Sequence, residues 1–128
     1  MRKLLIAIVS STLLSTALPA MAQTLPGDMG ILAGNFGTVQ TTNDKAEMVK
    51  ALTDMRAAAE DAKTQTPAKL ADKAADSTEI QAYHAQVDKL IAQIDTSLEQ
   101  AKAGNLDAAK VEAKKLAAIR NEGHKNFR

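Results

Sequence analysis

Four stretches of this chain repeat apolar residues at steps of three and four, a spacing that collects side chains on one face of an α-helix and on neither face of a strand. Leu25, Met29, Leu32, Phe36 and Val39 make the first line, and Met48, Leu52, Met55, Ala59 and Ala62 the second. Ile80, Tyr83, Val87, Leu90 with Ile91, Ile94, Leu98 and Ala101 make the third. Ala109, Ala113, Leu116, Arg120, His124 and Phe127 lie along or beside the fourth. A helix with one apolar stripe must bury it against other helices. The predicted fold is therefore all-α, an antiparallel up-down-up-down four-helix bundle.

The punctuation between the stripes agrees. The second helix is expected over residues 44–63 with Asn43 as its N-cap, and the third over 78–103 with Ser77 as cap. Gly104 stops the third helix as the residue after its C-cap, and Asn105 is the expected cap of a fourth running from Leu106 to about Phe127. Residues 64–77 contain Pro67 and lose the period, which makes them the one long connection.

The first stripe is built from poor helix material. Residues 26–40 read PGDMGILAGNFGTVQ, and each glycine in a helix costs about 0.8–1 kcal/mol relative to alanine, on the order of 3 kcal/mol in all. The period nevertheless survives. At about 100° per residue, Gly27, Gly30, Gly34 and Gly37 fall opposite the apolar line, and Pro26 sits in the first turn where a missing N–H does no harm. A helix is expected here. The alternative is a three-helix bundle preceded by an unfolded segment.

The chain opens with Arg2 and Lys3, an apolar run from Leu4 to Leu18, and Ala20-Met21-Ala22 ahead of Gln23. This is the pattern of a secretory signal peptide over residues 1–22, cleaved after Ala22 to leave a single domain at 23–128 in the periplasm. The run is too short to span a membrane. Loss of Arg2 and Lys3 turns the formal charge from +1 to minus one, a balance that argues against nucleic acid as a partner. There is no cysteine, which excludes disulfides, thiolate metal sites and covalently attached c-type haem.

In an up-down-up-down bundle the start of the first helix, the long connection and the end of the fourth helix share one end. Met29 and His124 lie near that end on neighbouring helices, both on the inward side. A thioether and a neutral imidazole facing each other there suit the two axial positions of a haem iron. Each residue also has a plainer reading. Methionine is a common core filler, as Met48 and Met55 are here, and a histidine near a helix C-terminus complements the helix dipole from solvent, the role expected of His84 on its helix face.

The segment at 51–73, ALTDMRAAAEDAKTQTPAKLADK, together with QID at 93–95 and the terminal RNEGHKNFR, resembles the soluble periplasmic cytochrome b562 family. The resemblance covers the whole mature chain. It implies one non-covalent b-type haem per chain with iron ligands that fall on Met29 and His124. It also places the family's arginine, one turn before the histidine, on Arg120, at the porphyrin edge; its plainer reading is a solvated charge. Leu25, Leu32, Phe36, Met55, Tyr83, Val87 and Leu116 would supply apolar walls, with Pro67 covering one edge. Val87 and Gly123 depart from the family, which often carries aromatics at both positions.

The expected function is one-electron transfer in the periplasm with unidentified redox partners, by a monomer that is not itself an enzyme. No phosphate loop or base-activated nucleophile is present, and Asp54, Glu60 and Asp61 are expected on the polar face, so no paired-carboxylate site is anticipated. The rival is a haem-free periplasmic module that binds protein partners through the glycine stripe beside Ile31.

Overall fold

The computed structural model describes residues 24–128; the proposed signal peptide lies outside them. Four helices follow in order: α1 Leu25–Thr41, α2 Lys45–Thr64, α3 Thr78–Lys102 and α4 Leu106–Phe127. Each of α1–α2, α2–α3 and α3–α4 packs closely, and α1 meets α4 at only a few points. The protein is a four-helix bundle, and the weakly packed α1–α4 side becomes important below.

Helix ends are set by local chemistry. The Thr24 hydroxyl accepts from the Gly27 amide at 3.1 Å and Pro26 occupies the first turn, so α1 starts where its donors are answered. At α2 the expected cap shifts by one residue. Asp44, not Asn43, accepts from the Glu47 amide at 2.7 Å, because a carboxylate is the stronger acceptor for a helix N-terminus. Asn43 accepts instead from Lys110 Nζ at 3.2 Å. Ser77 caps α3 as expected, accepting from the Ile80 amide at 3.2 Å.

Gly104 has φ +83°, the left-handed conformation that a side chain would strain. Its amide donates to Ala101 C=O at 3.0 Å, and that of Asn105 to Gln100 C=O at 2.9 Å, closing α3 with a Schellman motif. That motif uses the Asn105 side chain, which donates to Gln100 Oε1 at 3.1 Å and makes no cap bond to α4. The long connection is partly ordered too, with a 3-10 turn at Ala68–Leu70 that buries Leu70.

The core contains Met48, Leu52, Met55, Ala59 and Ala62 of α2, Ile80, Tyr83, Val87, Ile91, Ile94, Leu98 and Ala101 of α3, and Ala109, Ala113 and Leu116 of α4. The small side chains of α4 let it approach α3 closely, where the buried Ser97 hydroxyl donates to Ala109 C=O at 2.7 Å.

Helix α1 is rolled relative to the expected seam. Its buried line is Asp28, Leu32 and Val39, while Leu25, Met29 and Phe36 are half-buried. The reason is that Met29 and Phe36 border a space that no protein atom fills. Gly34 and Gly37 face open solvent as expected, whereas Gly30, though exposed, also borders that space; none of the three has anything within 4 Å of where a Cβ would stand.

Candidate haem-binding site

Where α1 and α4 part, a cavity of about 1150 Å³ opens at the end of the bundle that holds the long connection. It is larger than the roughly 300–1,000 Å³ of ordinary small-molecule pockets. Its walls are apolar and come from every helix: Leu25, Leu32 and Phe36 of α1, Met55 of α2, Tyr83 and Val87 of α3 and Leu116 of α4, with Pro67 from the connection. Met29, Arg120 and His124 line the same space. Every residue expected at the site from the sequence borders this one cavity.

Tyr83 is held rigidly. Its hydroxyl donates to Ala62 C=O on α2, and its ring meets Phe127 edge-on. Burial, and secondarily the charge of Asp28, push its phenol up to about 12, so it stays neutral. Gly123 is explained by a neighbour. A Cβ there would stand 3.3 Å from Gln86 Cγ, and the Gln86 amide donates to Ile119 C=O at 2.9 Å, so a polar side chain fills space beside Gly123.

His124 is half-buried, and burial first, then the positive charges of Arg128 and Arg120, lower its pKa below the usual 6.5. Both effects favour the neutral imidazole, the form that binds a metal. His84 does not line the cavity; its ring lies 5.9 Å from that of Tyr83. Among the described residues no three His, Cys, Asp or Glu side chains converge on a point that could hold a metal ion.

The charged residues lining the cavity are Lys69, Arg120 and Arg128, with no acid among them. Lys69 Nζ donates to Asn126 C=O at 3.3 Å and Arg120 Nε to Asn121 Oδ1 at 3.2 Å, so neither cation is neutralised by a carboxylate through those bonds. Lys69, Gln86, Phe127 and Arg128 were not assigned to the site from the sequence. Phe127 lies on the apolar stripe and so carries a signal; the other three lie off it.

One expectation is overturned. Asp61 does not belong wholly to the polar face: its Oδ2 is buried, and its carboxyl meets that of Asp28 on α1. Asp28 is 0% exposed, and desolvation, with Asp61 adding to it, raises its pKa from 3.8 to about 6. Helical periodicity could not show this, since neither residue is on an apolar line.

An antiparallel bundle with an apolar cavity that places Met29 of α1 and His124 of α4 on its wall is the architecture of a helical haem protein. Residues 24–128 match the family model described as cytochrome b562. Over 128 residues the chain is 38% identical to a Yersinia pestis protein named "Probable soluble cytochrome b562 2", covering 100% of both. It is 39% identical over 129 residues to "Probable soluble cytochrome b562 1" of the same organism, again over 100% of both. An uncharacterized protein of Pasteurella multocida is 29% identical over 125 residues. The chain belongs to the cytochrome b562 family.

Proposed function

We propose that the protein carries single electrons in the periplasm through one non-covalently bound b-type haem with Met29 and His124 as axial ligands. The observation that carries this reading is that a half-buried thioether and a half-buried imidazole, on different helices, line one apolar cavity whose ionic residues are all cations. The donor set fits the group. When bound, the haem supplies an iron that alternates between ferric and ferrous. The chain would do the rest: Met29 and His124 would each give the iron a ligand, a set that suits a carrier of electrons and not an enzyme. The thioether is uncharged and favours the reduced state. Leu32, Val87 and Leu116 exclude water, while Lys69, Arg120 and Arg128 supply positive charge for the haem's carboxylates.

Export is part of the reading: residues 1–22 direct it and 23–128 form the haem-binding domain. No described helix is long and apolar enough to cross a membrane.

The test is the visible spectrum of the purified protein with haem added. Sharp bands of a low-spin six-coordinate iron in the reduced state and poor binding of carbon monoxide are expected. Met29→Ala should open one position, so that carbon monoxide binds readily and the potential falls. A chain that takes up no haem, or a Met29→Ala spectrum identical to the parent's, refutes the reading.

A further inference from the structure

Helix α4 is held unevenly along its length. Among the described residues the last side chain that it buries is Leu116, and the stretch that follows to Phe127, His124 included, is half-buried or exposed. Its contacts with α1 are few, so this stretch depends on what α3 and the long connection offer. Lys89 pairs with Glu122 at 3.0 Å, but both side chains are about half exposed and such pairs are weak in water. Lys69 reaches only the Asn126 C=O, at 3.3 Å.

A different contact reaches the backbone at the turn that carries His124. The Gln86 side-chain amide of α3 donates to the Ile119 C=O at 2.9 Å, and Gln86 Cγ lies 3.3 Å from where a Cβ on Gly123 would stand, closer than ordinary van der Waals contact. Glycine inside a helix weakens it. Here the missing side chain lets Gln86 approach the α4 backbone, and both residues line the cavity. The contact is repeated farther along the same seam. Gln93, seven residues on from Gln86, donates to the C=O of Glu112, seven residues before Ile119, at 2.8 Å.

We propose that Gln86, seated against Gly123 and bonded to Ile119 C=O, fixes the level and the roll of the last turns of α4 and thereby positions the His124 imidazole in the cavity. Gln86 is a positioning residue, and the inference rests on the haem-ligand reading of His124. Two glutamine amides at equal spacing on α3 and α4 set how far one antiparallel helix can slide along the other. A slip of one residue would carry the imidazole about 1.5 Å along the axis. Successive helix residues are also about 100° apart, so holding Gly123 against α3 fixes the direction in which the next side chain, that of His124, leaves the helix. Gln93 does not line the cavity, which leaves Gln86 as the member of the pair beside the ligand.

The experiment compares Gln86→Met with Gln93→Met. Methionine keeps the length of the side chain and removes the donor, so each variant loses one bond to α4 with its packing largely retained. In haem-loaded Gln86→Met, transfer of haem to a scavenging protein should quicken about fivefold, the scale of one hydrogen bond. The paramagnetically shifted haem-methyl signals of the ferric protein, which follow the orientation of the imidazole plane, should move. Gln93→Met should leave both readouts at parental values, because it acts outside the cavity. In haem-free protein, amide exchange of residues 119–124 should accelerate severalfold in Gln86→Met and not in Gln93→Met, a comparison that needs no iron. Parental haem-methyl signals in Gln86→Met, equal haem loss from the two variants, or unchanged exchange at residues 119–124 would overturn the proposal while leaving the ligand reading in place. A parent that takes up no haem would overturn both together.

Discussion

Tyr83 and Phe127 meet edge-on with ring centroids 5.6 Å apart and an interplanar angle of 73°, joining the first half of α3 to the last turn of α4 across the cavity wall. Such a pair is worth about 0.5–1.5 kcal/mol beyond the area it buries. Phe127→Ala should therefore destabilise the haem-free protein by about 1–2 kcal/mol, moderated because Phe127 is half-buried. It should also speed haem loss, since the last turn of α4 carries His124. Urea denaturation and transfer of haem to a scavenging protein measure the two effects. Unchanged haem loss would show that the ring closes no part of the site.

The two histidines should behave differently. His124→Ala should weaken haem retention more than Met29→Ala, because imidazole binds both oxidation states of iron well, whereas the thioether favours ferrous iron. His84→Ala should leave the spectrum unaltered, as His84 borders Tyr83 outside the cavity. Haem titration followed by absorbance separates these outcomes, and spectral change in the His84 variant would mean the wrong histidine has been assigned.

Helix α1 should be the least stable of the four without haem. Replacing Gly30 and Gly34 by alanine should stabilise the haem-free protein by about 1–2 kcal/mol, because both are helical and the added methyl groups meet nothing within 4 Å. Denaturation midpoints provide the measurement. Destabilisation, or loss of a dimer, would instead favour the glycine stripe as a contact surface for a partner protein.

Burying Asp28 has a consequence for pH. Its folded pKa, about 6, is raised above the ordinary 3.8, chiefly by desolvation and further by Asp61. The folded state therefore holds a proton that the unfolded chain releases between those values. The stability contributed is fully present below pH 3.8 and is lost as pH rises through 6. The interval corresponds to on the order of 3 kcal/mol. His124 acts in the opposite sense, because its lowered pKa makes stability rise with pH below 6.5. Asp28→Asn removes only the first contribution. Haem-free Asp28→Asn should gain stability relative to the parent as pH rises from 4 to 7, and a difference that stays flat across that range would show that Asp28 carries no such proton.

The four helices could be read from the sequence because periodicity and capping are local properties. The apolar lines of α2 and α3, the Ser77 cap and the left-handed Gly104 depend on neighbours within one or two turns, and all stand as expected. So did the inward side of Met29 and His124, since each belongs to a line of residues at helical spacing. Which of two adjacent residues goes deepest is not local. A stripe about 100° wide spans neighbouring positions, so the roll that buries Asp28 and leaves Met29 and Phe36 on the cavity wall depends on what α2 and α4 present to α1. The same holds for Asp61, for Gln86 in the space beside Gly123, and for Lys69, Arg120 and Arg128 around one cavity: each depends on residues distant in the chain. The sequence by itself determined that helices would form and which faces would turn inward. Only the tertiary structure decided how far each helix rolled, because that balance is struck between surfaces that meet across the bundle.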